Sequence, residues 1–251
     1  MRKDKQLLLR VFEYFFKFIF KKIVFTLRID ILLNDLVRLG NDEDGGYIFH
    51  KAVKDYESLI SFGIAEDISF EQDFNKLYPL AKISAFDPSV NKLPEPIDNT
   101  NFYKKGISKV DSDQYLTLES ISKKFQIGVN DRSVIKMDIE GFEWEVFEKS
   151  INLISKCNIL IVEFHFYERP KKPIFLFPFT LFKRYQILKK LNSHFFFYNI
   201  NANNGSGYVR FKDFLFPKCV EISMLNRKSR KLNELNMPNH PNLKNTQHFW
   251  F

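Results

Sequence analysis

A short apolar strand that ends in carboxylates is the feature that most constrains the fold of this 251-residue chain. The run at residues 134–137 is followed at once by Asp138, Glu140 and Gly141, and a helical pattern begins after them. Buried parallel strands deliver side chains in this way to the carboxyl edge of a sheet, where open α/β folds bind their ligands. The run therefore predicts an α/β protein whose site lies at that edge.

Strand-like and helix-like segments alternate along most of the chain. Strands are predicted at residues 47–49, 58–62, 82–86, 102–107, 134–137, 158–164, 194–200 and 219–225, and helices at 68–77, 116–125 and 142–150. Such alternation indicates a parallel sheet with helices on both faces. The last two strands have no long helix between them, so we expect them to form an antiparallel pair.

The N-terminal segment, residues 1–33, is predicted as a basic amphipathic helix ahead of one domain at 34–251. Charged residues interrupt its apolar stretch, at Arg10, Glu13, Lys17, Lys21 and Lys22. No run reaches the ~20 apolar residues of a spanning helix, and a signal peptide keeps its charges ahead of its apolar core. Two alternatives stay open: a helix packed on its own domain with a solvated basic face, and a helix lying on anionic lipid.

The net charge of +8 is compatible with nucleic acid, anionic lipid or anionic glycans as partners. Because aromatic and basic residues do not interleave as in a known RNA-binding module, no nucleic-acid partner is expected. Cys157 and Cys219 form no Cys-x-x-Cys pair, which predicts buried free thiols in a cytoplasmic protein. In the lipid alternative, this protein lies peripherally on the inner face of a membrane.

The loop after the first buried strand indicates the charge of the ligand. A dinucleotide site would have Gly-x-Gly-x-x-Gly, whereas here Gly63 is followed by Ala65, Glu66 and Asp67. Two carboxylates would repel a pyrophosphate and attract a sulfonium and an ammonium group, both of which S-adenosylmethionine carries. As an alternative, Asp67 caps the next helix.

Asp87 ends the second buried strand, just before Pro88. An acid at this place accepts hydrogen bonds from the ribose hydroxyls of an adenosine cofactor. The alternative is a turn residue before proline. With the acidic loop before it, we prefer the ribose interpretation.

The ends of the later strands carry the candidate catalytic groups. Glu163 and His165, two residues apart on one strand, point to the same face, and Asp138 ends the neighbouring predicted strand. Such groups could deprotonate a hydroxyl, with His165 as the first candidate base and Asp138 as the second. They could also bind a divalent metal through Asp138 and Glu163, or serve as structural hydrogen-bond partners.

These motifs together resemble the FkbM-type S-adenosylmethionine-dependent methyltransferases, in the branch with an Asp-Gly-Gly-Tyr segment. The similarity runs from about residue 36 to the end and is carried by residues 38–40, 44–47, 61–71, 86–88, 136–144 and 162–165. Weaker matches lie at 199–204, 219–222 and 236–242. The Lys-x-Asp-x-Glu-Gly run that starts at Lys136 is the most specific element.

The resemblance implies a class I methyltransferase fold: a Rossmann-like, doubly wound, mostly parallel seven-stranded sheet with an antiparallel C-terminal hairpin edge. It implies S-adenosylmethionine as cofactor and O-methylation of a hydroxyl on a sugar, glycolipid or small metabolite. By position, the cofactor would contact Asp44, Gly45, Gly63, Ala65, Glu66, Asp87 and Asp138. The acceptor would contact Glu140, Asn203 and Asn204, with His165, Asp138 and Glu163 as catalytic residues.

The chain departs from the family pattern at two positions. Ala65 stands where relatives often have a second glycine, and Asn201 stands where a histidine is expected before the paired asparagines. A proline-punctuated insertion at residues 171–179 could be a lid, a membrane contact or a cover for the sheet edge. The alternative function is a non-catalytic membrane-surface binding protein that keeps the fold.

Overall fold

The protein is seen in a computed structural model that describes residues 2–42, 45–51, 55–166, 177–203, 205–211 and 214–229. The helices are α1 (Arg2–Thr26), α2 (Ser69–Leu77), α3 (Leu118–Phe125), α4 (Glu143–Ile154) and α5 (Phe177–His194). The strands are β1 (Leu36–Leu39), β2 (Tyr47–His50), β3 (Ser58–Phe62), β4 (Lys82–Phe86), β5 (Thr100–Tyr103), β6 (Gly106–Ile107), β7 (Tyr115–Leu116), β8 (Ser133–Met137), β9 (Ile159–His165), β10 (Phe195–Ala202), β11 (Tyr208–Phe211), β12 (Phe214–Pro217) and β13 (Cys219–Asn226).

Seven strands form the central sheet in the order β10-β13-β9-β8-β3-β4-β5. The five strands from β9 to β5 are mutually parallel, whereas β13 is antiparallel to both β9 and β10. The predicted parallel sheet with an antiparallel C-terminal pair is therefore confirmed. The chain proceeds from β3 to β4 and β5 on one side and then returns to β8 on the other. This reversal opens a crevice at the carboxyl ends of β3 and β8.

Both faces of the sheet are covered, which explains why its strands are nearly continuous apolar runs. Ile60 and Phe62 of β3 belong to a core that includes residues of α1, α3, α4 and α5. Leu59 faces the other way, into a core formed with α2 and the β1–β2 hairpin. The alternation along β3 follows the two-residue period of a strand.

Helix α1 packs on its own domain along one side. Phe16, Ile19, Phe20, Ile23 and Leu27 are buried in the same core as residues of α4 and α5. The inner face of α1 is therefore packed on its own domain, which was the first of the two alternatives for this helix. Among the described residues, none of the helices has the length and apolar character needed to cross a bilayer.

Some elements were not predicted from the sequence, chiefly α5, the strand β1 and the hairpin β11–β12. Helix α5 has Pro178 as its second residue, a position in the first turn where proline costs no internal hydrogen bond. The predicted strand at 102–107 is divided into β5 and β6, and β6 pairs with β7 outside the main sheet. Residues 167–176, most of the predicted insertion, lie outside the described residues.

Candidate active site

Gly63 and Asp138 meet where the strand order reverses. Gly63 follows β3 with φ of +74°, and a Cβ atom built on it would lie 1.6 Å from the carbonyl oxygen of Asp138. The backbone N–H of Asp138 donates to the carbonyl of Phe62 at 3.0 Å. A side chain at this position would clash with the neighbouring strand end, so the packing of two strand ends requires glycine here. The predicted contact of Gly63 with the cofactor stays a prediction.

The rest of this loop surrounds the end of β3. Glu66 is exposed, and Asp67 Oδ1 accepts a hydrogen bond of 2.9 Å from the backbone N–H of Ser69, the first residue of α2. Asp67 lies one residue before the N-cap Ile68, whose side chain makes no capping hydrogen bond, so Asp67 binds the first N–H group of α2 from just outside the helix. Gly45 approaches the same side chain, because a Cβ atom built on it would lie 2.4 Å from Asp67 Oδ2. Asp44, the predicted neighbour of the cofactor, lies outside the described residues.

Ala65 has a left-handed backbone with φ of 43°, a conformation that favours glycine. We expect Ala65→Gly to raise the free energy of unfolding by about 0.5–1 kcal/mol, because relief of left-handed strain exceeds the added chain entropy. Urea unfolding measures the difference. Ala81→Gly is the matched control, since Ala81 has no positive φ and should lose stability. A less stable Ala65→Gly chain would contradict the assigned strain.

The Asp87 carboxylate holds the loop in place. Its Oδ2 accepts hydrogen bonds from the backbone N–H groups of Ile64 and Ala65 at 3.1 and 2.9 Å, and its Oδ1 accepts from the N–H and hydroxyl of Ser89. Burial raises the pKa of Asp87, but these hydrogen bonds outweigh it and lower the pKa below its ordinary value. A ribose could bind Asp87 by exchanging with some of these donors, so the ribose role stays a prediction.

A polar cavity of about 260 Å³ opens beside Asp138. Its lining residues are Asp138, Glu140, Glu163, His165, Asn203, Ser206, Lys218 and Cys219. The structure thus brings together the predicted acceptor-facing residues that it describes, while Asn204 lies outside the described residues. Sequence reasoning missed Lys218 and the position of Cys219. The antiparallel register of β9 and β13 pairs Cys219 with His165 on the neighbouring strand, and the sequence does not reveal this pairing.

Tyr47 orients Asp138. Its hydroxyl donates to Asp138 Oδ2 at 2.9 Å, and the tyrosine side chain is buried. Burial and the nearby charge of Asp138 raise the pKa of Tyr47, so the hydroxyl keeps its proton and remains a donor. Sequence reasoning quoted Tyr47 as part of the Asp-Gly-Gly-Tyr motif without assigning it this role.

Glu163 is the most perturbed carboxyl group in the cavity. Asn203 Nδ2 donates to Glu163 Oε1 at 3.0 Å. Burial, with the charge of Asp138, raises the pKa of Glu163 from 4.5 to about 9. The carboxyl group therefore carries a proton at neutral pH and can donate a hydrogen bond as well as accept one.

His165 is held by two glutamates. Its Nδ1 lies 3.1 Å from Glu143 Oε1, and its Nε2 lies 3.4 Å from Glu140 Oε2. Burial by itself lowers the pKa of His165, but hydrogen bonds to Cys219 and Glu143 and the charge of Glu143 outweigh it and raise the pKa to about 11. An imidazolium cannot take a proton, which argues against His165 as the base, the first candidate from the sequence.

Glu143 is a further residue of this site to which the sequence argument assigned no role. It is fully buried, and its Oε1 also accepts hydrogen bonds from the backbone N–H groups of Ile139 and Gly141. Glu143 therefore fixes both the imidazole and the loop that carries Glu140. The sequence contained a signal for this role. Glu143 is an acid in the first turn of the helix predicted at residues 142–150, which directly follows the Asp-Ile-Glu-Gly run.

Two groups of ligand-type side chains bear on the metal alternative. One group consists of Glu163, His165 and Cys219, and the other consists of Asp138, Glu140 and His165. In each group the candidate ligand atoms lie within 4.8 Å of one another. His165 belongs to both. The Glu143 carboxylate at Nδ1 is the kind of partner that orients a metal-ligating imidazole through its other nitrogen, so the metal alternative stays a prediction.

Glu163→Gln is expected to stabilise the ligand-free chain at high pH. The unfolded carboxyl ionises above pH 4.5 and the folded one keeps its proton to about 9, so folding takes up a proton between these values and stability falls as pH rises. The glutamine is neutral throughout and keeps Oε1 for Asn203. We expect similar stability near pH 5 and a gain of roughly 3–4 kcal/mol near pH 8, measured by urea unfolding. Parallel curves for the two chains across this range would contradict the raised pKa.

The sequence matches the family model described as Methyltransferase FkbM domain over residues 45–196. Comparison with curated proteins finds no match.

Three solved structures illustrate the likeness of the fold. An S-adenosylmethionine-dependent O-methyltransferase from Thermotoga maritima is 13% identical with a TM-score of 0.38, covering 75% of this chain and 63% of that one. A precorrin-6y C5,15-methyltransferase from Geobacter metallireducens is 10% identical with a TM-score of 0.37, covering 70% and 84%. The plantazolicin methyltransferase BpumL, with bound S-adenosylhomocysteine, is 13% identical with a TM-score of 0.37, covering 68% and 76%. At these low TM-scores the likenesses carry no argument of their own.

The family match and the order of the seven strands confirm the predicted class I methyltransferase fold, Rossmann-like and doubly wound. The match spans more than half of the 251 residues, and the chain belongs to the FkbM methyltransferase family.

Proposed function

We propose that this S-adenosylmethionine-dependent methyltransferase of the FkbM family acts on a hydroxyl of a sugar, glycolipid or small metabolite. The observation that carries the proposal is the polar cavity beside Asp138, at the carboxyl ends of β8 and β9. Its carboxyl, amide and ammonium groups suit an acceptor that is covered with hydroxyls.

The residues around the ends of β3 and β4 fit a cationic donor. Glu66 is exposed on the loop after β3, and Asp87 holds that loop through backbone N–H groups. Gly45 allows the backbone to pack closely against the side chain of Asp67, and Gly63 allows it to pack closely against the carbonyl group of Asp138. Carboxylates near the site attract the sulfonium and ammonium groups of S-adenosylmethionine. When bound, the cofactor would supply an electrophilic methyl group to the acceptor.

Asp138 is our choice of base. Tyr47 fixes its Oδ2 by a hydrogen bond, and Asp138 lines the acceptor cavity. The Asp138 carboxylate would take the hydroxyl proton of the acceptor, while S-adenosylmethionine would supply the methyl group and leave as S-adenosylhomocysteine. Positioning supplies much of the acceleration of such a displacement, so a weak base suffices.

Glu163 and His165 take binding roles in this scheme. Protonated Glu163, held by Asn203, can donate a hydrogen bond to an acceptor oxygen. The His165 imidazolium draws Glu140 towards the cavity and balances the negative charge of the neighbouring carboxylates. Both residues thus orient the acceptor and leave proton removal to Asp138.

A transfer assay with isotope-labelled donor tests the proposal. The full chain is incubated with labelled S-adenosylmethionine and a panel of sugars, glycolipids and small polyols, each beside a copy whose hydroxyls are blocked by methyl groups. We expect label in at least one free-hydroxyl acceptor and none in its blocked copy. Tight donor binding without transfer across the panel would favour the alternative, a non-catalytic membrane-surface protein, for which the exposed side of α1 is the supporting observation.

A further inference from the structure

The side of α1 that faces away from the core carries exposed aromatic rings. Tyr14, Phe18 and Phe25 are 76%, 50% and 65% exposed. They are spaced by four and seven residues and therefore lie on one line along the helix. The opposite side is the buried one that packs on the domain. Large rings in a row on an already packed helix call for an explanation beyond folding.

Basic side chains flank this line on both sides. Lys21, Lys22 and Arg28 are exposed, and Lys22 Nζ lies 5.5 Å from the ring centroid of Phe18. The guanidinium carbon of Arg28 lies 4.5 Å from the ring centroid of Phe25. The sequence from residue 14 to 28 contains no Asp or Glu. We define Tyr14, Phe18, Lys21, Lys22 and Phe25, together with Arg28 two residues after the end of the helix, as the outer face of α1.

The aromatic surface continues onto α5. Phe15 lies 6.1 Å from Phe179 and 6.5 Å from Phe182, measured between ring centroids. Phe179 is 59% exposed and Phe182 is 39% exposed. The start of α5 therefore widens the exposed apolar area beside the outer face.

We infer that the outer face of α1 binds the surface of a membrane that contains anionic lipid. Aromatic rings partition to the boundary between headgroups and acyl chains, and lysine and arginine beside them contact anionic headgroups. A positively charged face with no acidic residue is complementary to such a surface. Because the inner face stays packed, binding requires no unfolding of the domain. This inference is independent of the methyl-transfer proposal.

Vesicle flotation of the full chain tests this surface. Vesicles of phosphatidylcholine alone are compared with vesicles that also contain phosphatidylglycerol, at low and high salt. We expect binding to the anionic vesicles, weakened by salt. Lys21→Gln with Lys22→Gln should weaken binding about fivefold for each charge removed. Phe18→Ser with Phe25→Ser should weaken it at least about tenfold, since both rings leave the interface.

Matched controls come from elsewhere on the surface. Lys123 and Lys124 are an adjacent exposed pair at the end of α3, and Leu80 and Val110 are exposed apolar residues at 92% and 63%. Lys123→Gln with Lys124→Gln, and Leu80→Ser with Val110→Ser, should leave vesicle binding unchanged. Equal losses in the controls, equal binding to neutral vesicles, or no binding at low salt would overturn the inference. Self-association abolished by Phe18→Ser with Phe25→Ser, without vesicle binding, would instead assign the face to a second copy of the chain.

Discussion

Replacing Lys136 by Met is expected to lower the free energy of unfolding by about 3–5 kcal/mol. Lys136 Nζ lies 3.7 Å from Glu71 Oε1 inside the sheet–α2 core, and both side chains are almost fully buried. The same ammonium donates to the carbonyl of Gly63 at 3.1 Å. In the variant the Glu71 carboxylate stays buried and loses its counter-ion. The hydroxyl of Ser61 still donates a hydrogen bond to it. A buried charge without its counter-ion is among the most destabilising changes a core can undergo.

Thermal and urea unfolding measure the effect, which corresponds to a fall in melting temperature of roughly 10 °C for a chain of this length. Lys82→Met serves as the control, since Lys82 is exposed at the start of β4. The double variant Glu71→Gln with Lys136→Met should recover a large part of the loss. A Lys136→Met chain as stable as the Lys82→Met chain would show that the pair contributes nothing.

Asp138→Asn should lower the turnover number by about 10²–10⁴-fold, with a much smaller effect on acceptor KM. The asparagine keeps the shape of the side chain and an oxygen for the Tyr47 hydroxyl, but it cannot accept a proton. Rapid-quench measurement of a single turnover, with an acceptor identified by the transfer assay, isolates the chemical step from binding.

His165→Gln is the comparison that separates the two candidate bases. Because hydrogen bonds to Cys219 and Glu143 raise the pKa of His165, we expect this variant to raise KM more than it lowers the turnover number. If His165→Gln abolished the chemical step while Asp138→Asn retained it, the assignment of Asp138 as base would be wrong.

The sheet could be predicted from the sequence because its strands are buried on both faces. Residues 58–62 and 82–86 are the bounds of β3 and β4 as the structure has them, and β8 begins one residue before the predicted start. Continuous apolar runs ended by glycine or acid leave little ambiguity. Helix α5 could not be predicted in the same way, because Pro178 and a dense run of Phe hide its period.

The site could be predicted as a set of residues and not as a set of charge states. Parallel strand ends share one edge, so Asp138, Glu163 and His165 were expected to gather there. The proton on His165 depends on Glu143, which approaches from α4, and on Cys219, which approaches from β13. These contacts join residues far apart along the chain, and a periodic pattern does not encode them. For this reason we propose Asp138 as the base, in place of His165, which the sequence favoured.

Calorimetric titration of the full chain with S-adenosylmethionine is the most direct test of the central claim, that the carboxyl edge of this sheet binds a cationic methyl donor. We predict one site of micromolar affinity, weakened at least about tenfold in Asp87→Asn and unchanged in Asp98→Asn, whose carboxylate is exposed near β5. Absence of binding, or equal affinity in the two variants, would contradict the account.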